Sequence, residues 1–171
     1  MKTLRIATVV LVAATVTPAG HAFQAVPADL GVSSRNGLVV SSSDLASDVG
    51  AAVLARGGNA VDAAVATAFA LAVTHPFAGN LGGGGFMVVR AANGKAATFD
   101  YRETAPGKST PTMYLGQDGN IDRSLTAAGY LAPGVPGTVR GMELALKNYG
   151  SGKLTWAQLL SLIHISEPTR P

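Results

Sequence analysis

Residues 86–102, Phe-Met-Val-Val-Arg-Ala-Ala-Asn-Gly-Lys-Ala-Ala-Thr-Phe-Asp-Tyr-Arg, decide how this chain folds. Two runs rich in β-branched and aromatic residues flank Asn93-Gly94, and this pattern predicts an antiparallel hairpin. A two-residue type I′ turn, which needs positive φ at both positions, pairs Ala92 with Lys95 and places Arg102 opposite Gly85. Because the first run is apolar on both faces, we expect the sheet to be covered on both sides.

Two helices are predicted before the hairpin. The first begins at Ser41-Ser42-Ser43-Asp44, which offers hydroxyl caps and an early carboxylate, and ends at Gly57-Gly58. The second begins after Asn59, with Asp62 placed as in a capping box, and ends before Pro76. Nearly every face of this second helix is apolar, which is typical of a helix buried within a larger fold.

The residues after the hairpin predict a turn-rich segment followed by more helix. Pro106 to Leu125 is rich in turn residues, and Pro133 to Gly137 predicts a rigid turn with Pro136 near the first position of a helix. That helix carries an apolar stripe of Val139, Met142, Leu146 and Tyr149. It ends at Gly150, and another helix begins near Trp156. Together these elements indicate a mixed α/β (α+β) fold class.

The charges and the missing cysteines exclude several classes of function. The net charge is +3, but ten basic and nine acidic residues nearly balance between Phe23 and Leu159, without a Lys/Arg cluster. This balance argues against nucleic-acid binding. The chain has no cysteine, and His75 is the one histidine between its two ends, so a thiolate or multi-histidine metal site is not expected. We predict no metal and no cofactor.

Residues 1–22 have the pattern of a secretory signal peptide. A basic start precedes the apolar core Ile6–Thr17 and the small-x-small cleavage site Gly20-His21-Ala22. The apolar core has 12 residues, fewer than the roughly 20 that a membrane span needs. We therefore expect a periplasmic or secreted protein that begins near Phe23 and has no stable membrane span. An uncleaved anchor is the alternative.

The last segment, residues 160–171, is expected not to be native. Leu160 to Arg170 reads Leu-Ser-Leu-Ile-His-Ile-Ser-Glu-Pro-Thr-Arg, which matches residue by residue the translation of a common transposase sequencing adapter. On this interpretation the native mature part is residues 23–159, and the side chains of the tail carry no functional weight.

Two features are candidates for chemistry. Gly82 to Gly85 are four consecutive glycines, which either let backbone approach a ligand or pack closely between a helix and a strand. Arg102 ends the hairpin opposite a residue without a side chain, where its planar guanidinium has room to hold a carboxylate through two parallel hydrogen bonds. Spacing alone favours a different role for Arg102, an ion pair with Asp100 or Glu103.

Four motifs, in this order, resemble the γ-glutamyltransferase family. They are Gly57-Gly58-Asn59-Ala60-Val61-Asp62-Ala63-Ala64-Val65-Ala66, then Thr74-His75-Pro76 with Asn80-Leu81-Gly82-Gly83-Gly84-Gly85-Phe86-Met87, then Asp100-Tyr101-Arg102-Glu103-Thr104-Ala105-Pro106, and Pro133-Gly134-Val135-Pro136-Gly137-Thr138-Val139. The resemblance runs from about Gly37 to Leu159. Each glycine run alone is a weak signal, whereas the ordered set is specific.

This resemblance implies a fold and a mechanism. The family has the four-layer αββα sandwich of N-terminal-nucleophile hydrolases, and its precursor cleaves itself into a large and a small subunit. The threonine that begins the small subunit attacks the γ-glutamyl amide of glutathione or a similar donor, with its own amino group as base. The acyl group then passes to water, an amino acid or a peptide. Residues 23–159 are then an N-terminal fragment of the large subunit, and the small subunit is its partner.

The resemblance also assigns roles to residues. It makes Arg102 the substrate-binding residue that grips the donor α-carboxylate, and it gives His75 and Glu103 no catalytic role. Because the nucleophile belongs to the small subunit, this chain holds no catalytic residue, and we expect it to be inactive alone. Two alternatives remain: a cephalosporin or glutaryl acylase on the same scaffold, and a non-catalytic periplasmic binding protein.

Overall fold

The computed structural model describes residues 31–79 and 81–161. The predicted signal peptide, its cleavage before Phe23, Asn80 and all but the first two residues of the predicted tail lie outside these ranges. The chain divides after Ser33, and the description below concerns the unit that begins at Ser34. Its elements are α1 (Asp44–Ala55), α2 (Ala60–Thr74), β1 (Phe86–Arg90), β2 (Ala96–Asp100), α3 (Arg123–Ala127), α4 (Thr138–Tyr149) and α5 (Trp156–Ser161). This mixture of helix and strand confirms the predicted class.

Helix α1 begins and ends close to where the sequence predicts. The Ser43 hydroxyl accepts a hydrogen bond from the backbone N–H of Ala46. At the other end the N–H of Gly57 donates to the Leu54 carbonyl, and that of Gly58 donates to Val53. These two bonds close a Schellman motif, which Gly57 permits by adopting a φ of +85°.

Helix α2 is the centre of the core and is tied by its first turn to the end of α4. The Asn59 side chain caps the helix, and the Asp62 carboxylate accepts from the Asn59 N–H at 2.8 Å, so the predicted capping box is present. Asp62 is fully buried and also accepts from the N–H of Ser151 at 3.2 Å. The Asn59 amide donates to the Tyr149 carbonyl at 2.7 Å. Helices α1, α4 and α5 all pack on α2, as expected for a helix that is apolar all round.

The hairpin forms as predicted, but its register differs by one residue. Phe86 pairs with Asp100 and Arg90 with Ala96. The loop has three residues instead of two, because the Ala91 N–H donates to Lys95 and the Gly94 N–H donates to Ala91. Gly94 has a φ of +83°, whereas no described residue other than glycine has a positive φ. Since a type I′ turn requires positive φ at Asn93 as well, the chain instead adopts a type I turn followed by a left-handed glycine.

The two faces of the hairpin have different environments. Met87, Val89 and Phe99 face the helices, and the Phe99 ring contacts that of Tyr149 edge-on at 5.7 Å. The opposite face is open: Phe86 is 60% and Val88 is 75% exposed. In the described part of the chain helices cover one face, so the expectation of a sheet covered on both sides is met on that face and stays a prediction for the other.

One later element departs from the prediction. The turn-rich segment contains a short helix, α3, whose cap is Asp122. Helix α4 begins at Thr138 with Gly137 as its cap, so Pro136 lies near the first helical position, as predicted. Gly83 supplies the capping acceptor, as described below. Among the described helices, none combines the length and apolar character needed to cross a membrane.

Candidate functional site

Arg102 lies just beyond β2, on the open face of the hairpin. Its side chain is 63% exposed, and its Nε donates to Glu103 Oε2 at 3.1 Å. The guanidinium carbon lies 6.0 Å from the centre of the Phe86 ring, at the outer limit of a cation–π contact. The one-residue change of register puts Gly84, and not Gly85, beside Arg102, so the predicted neighbour without a side chain is still present.

The predicted ion-pair partners of Arg102 divide between its side chain and its backbone. Glu103 takes the ion pair, whereas an Asp100 side-chain oxygen accepts from the backbone N–H of Arg102 at 3.0 Å. Within the described part of the chain, Nε is the guanidinium atom with a hydrogen-bond partner, and neither terminal nitrogen has one. The N–H donors of both terminal nitrogens are therefore unengaged, as bidentate binding of a carboxylate requires.

Glu103 is held in its ionised form. Hydrogen bonds from its own backbone N–H and from the Arg102 side chain lower the pKa of this carboxyl below its ordinary value. The pair is exposed to solvent and contributes little to stability. Its effect is geometric, because a bond to Nε fixes the plane of the guanidinium while the terminal nitrogens remain unengaged.

The glycine run packs backbone against backbone beside Arg102. The Gly83 carbonyl accepts from the N–H groups of Gly137 and Thr138, at 3.0 and 3.1 Å, and so caps α4. Gly84 lies so close to the end of β2 that an added Cβ would stand 2.8 Å from the Arg102 Cα. The close-packing alternative for the run is therefore confirmed, since its backbone groups are used to join β2 to α4.

The Pro133–Gly137 turn closes the other side of the site. Thr104 and Val135 exchange two backbone hydrogen bonds, at 2.8 and 3.2 Å. An added Cβ on Gly134 would lie 2.9 Å from the Glu103 Cβ. A cavity of about 430 Å³, lined by Glu103, Thr104 and the turn, opens next to the site. Motifs that are distant in sequence thus converge on the Arg102–Glu103 dipeptide.

Sequence reasoning missed the residue before Arg102. Tyr101 points to the helix side of the strand, where its ring lies on Gly141 of α4, and burial raises the pKa of its phenol. The signal for this contact was a glycine inside a helix, next to Met142 on the buried side. His75, by contrast, has the helix-ending place expected of it, with its N–H bonded to the Leu71 carbonyl at 2.8 Å.

Two further features lie away from Arg102. A larger cavity of about 680 Å³ separates residues 36–42 from α2, and Thr67 Oγ1 at its wall is buried without a hydrogen-bond partner. In residues 31–79 and 81–161, no three His, Cys, Asp or Glu side chains cluster as metal ligands would.

Comparison with known proteins connects this geometry to one family. The sequence profile of the gamma-glutamyltranspeptidase family matches residues 46–163. The glutathione hydrolase proenzyme of Escherichia coli is 52% identical over 120 residues, which are 70% of this chain and 21% of that protein. The crystal structure of Helicobacter pylori gamma-glutamyltranspeptidase superimposes with a TM-score of 0.73 at 52% identity, over 77% of this chain and 37% of that one. The transpeptidase CapD of Bacillus anthracis gives a TM-score of 0.57 at 35% identity, over 74% of this chain and 36% of that one.

The matched region is a limited part of each relative. The chain spans about a fifth of the length of the curated relatives it matches. The matched region includes Arg102 and Glu103, together with the glycine run 82–85 and the Pro133–Gly137 turn that lie beside them.

Proposed function

The chain belongs to the gamma-glutamyltranspeptidase family, and from that premise we propose that its protein transfers the γ-glutamyl group of glutathione or related donors to water, amino acids or peptides. The observation that carries the proposal is the placement of Arg102 within the family motif. Its guanidinium lies on an open face with one nitrogen bound to Glu103 and two donors unengaged.

Arg102 is proposed to bind the α-carboxylate of the donor. The two terminal nitrogens match the two carboxylate oxygens, and the Glu103 bond keeps the guanidinium plane fixed before substrate arrives. A lysine at this position would offer a point charge without the planar fork. The α-carboxylate lies at the far end of the γ-glutamyl group from the scissile amide, so Arg102 orients the donor and takes no part in bond making.

The covalent chemistry is proposed to come from another part of the precursor. By the family pattern, the hydroxyl of an N-terminal threonine attacks the γ-carbonyl while the amino group of that threonine takes the hydroxyl proton. The amide C–N bond then breaks, the proton passes to the leaving amine, and an acyl-enzyme remains. Water or an acceptor amine then attacks the acyl group and frees the threonine. The word proenzyme in the names of the relatives supports a self-cleaved precursor, in which the small subunit is the partner of this chain.

The open hairpin face supports the finer fold proposal. Phe86 and Val88 expose apolar side chains next to Arg102. In a four-layer αββα sandwich a second sheet covers such a face, and the donor site then lies between the two sheets. Residues 23–159 are proposed as part of the large subunit, preceded by a signal peptide at 1–22 and followed by the non-native segment 160–171. The leader supports a periplasmic or secreted location.

The complete coding sequence provides the test. We expect the expressed protein to cleave itself into two chains, to hydrolyse a γ-glutamyl anilide and to transfer its acyl group to a dipeptide. A protein that remains one chain and does not act on γ-glutamyl anilides would contradict the proposal. Faster hydrolysis of glutaryl amides than of γ-glutamyl amides would indicate the acylase alternative.

A further inference from the structure

The ring and backbone of Tyr101 pack against three glycines, more closely than strand pairing alone requires. A methyl group on Gly141 would overlap the Tyr101 Cγ, and a Cβ on Gly137 would overlap the Tyr101 carbonyl oxygen. Gly85 pairs with Tyr101 through two backbone bonds, and a Cβ there would lie 3.1 Å from the Tyr101 ring. Glycine at these three positions gives the Tyr101 ring and backbone a seat, defined here as the surface of Gly85, Gly137 and Gly141.

The seat is coupled to Arg102 by the strand itself. Consecutive strand residues point to opposite faces, so the Tyr101 ring fixes the strand from the helix side while Arg102 extends from the open side. On the flank, Gly84 approaches the strand so closely that an added Cβ would stand 2.8 Å from the Arg102 Cα. The depth to which the Tyr101 ring sits on Gly141 therefore sets the position of the Arg102 backbone.

A second connection reaches the guanidinium through Phe86. The Tyr101 hydroxyl donates to the Phe86 carbonyl at 3.3 Å, and the Phe86 ring lies beneath the Arg102 guanidinium at 6.0 Å. At that length, and exposed to solvent, the hydroxyl bond is weak. The packed ring, and not the hydroxyl, holds the arrangement.

We propose that Tyr101, seated on Gly141, is a positioning residue that places the Arg102 guanidinium for the donor carboxylate. The inference rests on the proposed function of Arg102. It assigns to Gly141, the glycine inside α4, an indirect role in donor affinity without contact with the donor.

The test is a double-mutant cycle in the complete, processed enzyme. Tyr101→Ala removes the ring, and we expect KM for a γ-glutamyl anilide to rise roughly tenfold to a hundredfold, as for a misplaced binding group. The kcat should change little, because a binding group lost equally from ground and transition states appears in KM. Tyr101→Phe keeps the ring and should leave KM within about twofold of wild type.

Gly141→Ala completes the cycle. Alone, it should raise KM as Tyr101→Ala does. In a Tyr101→Gly background it should add nothing beyond Tyr101→Gly itself, since both the ring and the Cβ that the new methyl group would overlap are then gone. Gly50→Ala is the matched control: it also adds a methyl inside a helix, where it would overlap the Thr67 Oγ1, far from Arg102. It should lower stability without changing KM. If Gly141→Ala does not yield folded enzyme, Tyr101→Ala and Tyr101→Phe decide the question.

Donors with and without the α-carboxylate separate the possible outcomes. The 4-aminobutanoyl anilide lacks that group, so its KM should be insensitive to the Tyr101 and Gly141 variants. Equal losses for both donors, or an unchanged KM for the γ-glutamyl donor, would overturn the inference. Arg102→Ala tests the proposed function in the same assay. If Arg102→Ala abolishes the preference for the γ-glutamyl anilide over the 4-aminobutanoyl anilide while Tyr101→Ala retains the wild-type preference, the positioning role alone fails. If Arg102→Ala keeps discrimination, the carboxylate assignment fails as well.

Discussion

At the scale of the residue, Arg102 forms the ion pair that its spacing favours and keeps donors for the carboxylate that we propose it binds. Its Nε takes part in the ion pair with Glu103, and its side chain is 63% exposed. An exposed ion pair and a substrate contact are compatible because the guanidinium has donors on separate edges. Only the atomic arrangement shows this, since sequence spacing identifies the neighbours of a guanidinium but not the nitrogen each one contacts.

Replacement of Glu103 by glutamine separates orientation from substrate binding. We expect Glu103→Gln in the complete enzyme to raise donor KM less than about threefold, because exposed ion pairs are weak and the amide oxygen still accepts from Nε. The lowered pKa of Glu103 means that the pair persists as pH falls and is lost only below the ordinary carboxyl value, so the effect should be constant near neutral pH.

The matched control for Glu103→Gln is Glu143→Gln. Glu143 forms an exposed ion pair with Arg140 on α4, away from the hairpin face. The Glu143→Gln replacement should leave donor KM unchanged in steady-state assays. If Glu103→Gln raised donor KM as much as Arg102→Ala does, Glu103 itself would contact the donor.

At the scale of the element, the sequence predicts helix ends better than strand register. Ser43, Asn59 and Gly57 act locally, through caps that need no knowledge of the rest of the fold. The hairpin register depends on whether Asn93 adopts positive φ, and the sequence motif leaves both turn types available. The sequence places the start of α4 near Pro136 but does not identify its capping acceptor, which is the carbonyl of Gly83, more than fifty residues earlier.

Asp62 connects two elements, and its removal should destabilise both. Its buried carboxylate accepts from Asn59 at the start of α2 and from Ser151 after α4. Asp62→Ala leaves both N–H groups without their partner, and we expect the free energy of unfolding to fall by about 2–4 kcal/mol in urea denaturation of the complete protein.

Asp118→Ala is the comparison for this prediction. Asp118 also accepts from a backbone N–H, that of Asn120, but in an exposed turn. Its replacement should cost less than about 1 kcal/mol, because water takes over the lost bond. Equal effects of the two replacements would show that the Asp62 contacts do not join α2 to α4.

At the scale of the whole molecule, the order of the motifs identified the family, whereas the place where the motifs meet required the structure. Gly84 lies beside Arg102 and Gly134 lies beside Glu103, and the two glycines come from different motifs. Gly141 inside α4 signals a close contact, but its partner Tyr101 could not be predicted, because the pairing depends on how closely α4 approaches β2. The apolar residues of the open hairpin face predict that it is covered, but not which part of a protein covers it.

The 171-residue chain alone should be inactive and should expose apolar surface. Phe86 and Val88 are largely exposed, and apolar surface left in water costs about 25 cal/mol per Å². We expect the purified chain to bind a hydrophobic dye and to aggregate, unlike the complete processed enzyme measured in parallel. Turnover of a γ-glutamyl anilide by the chain alone would contradict the placement of the nucleophile in another part of the precursor.

The binding of the donor carboxylate by Arg102 is tested most directly by comparing two donors in the complete, processed enzyme. Loss of one partner of a buried charged pair typically costs about 2–5 kcal/mol, so Arg102→Ala should lower kcat/KM for the γ-glutamyl anilide by roughly 30-fold to several thousand-fold. Arg102→Lys should recover only part of the loss. The 4-aminobutanoyl anilide should be a poor donor for wild type and hardly worse for Arg102→Ala, while self-cleavage remains intact. Equal losses on both donors, or loss of self-cleavage and folding together, would show that Arg102 is a structural ion-pair residue.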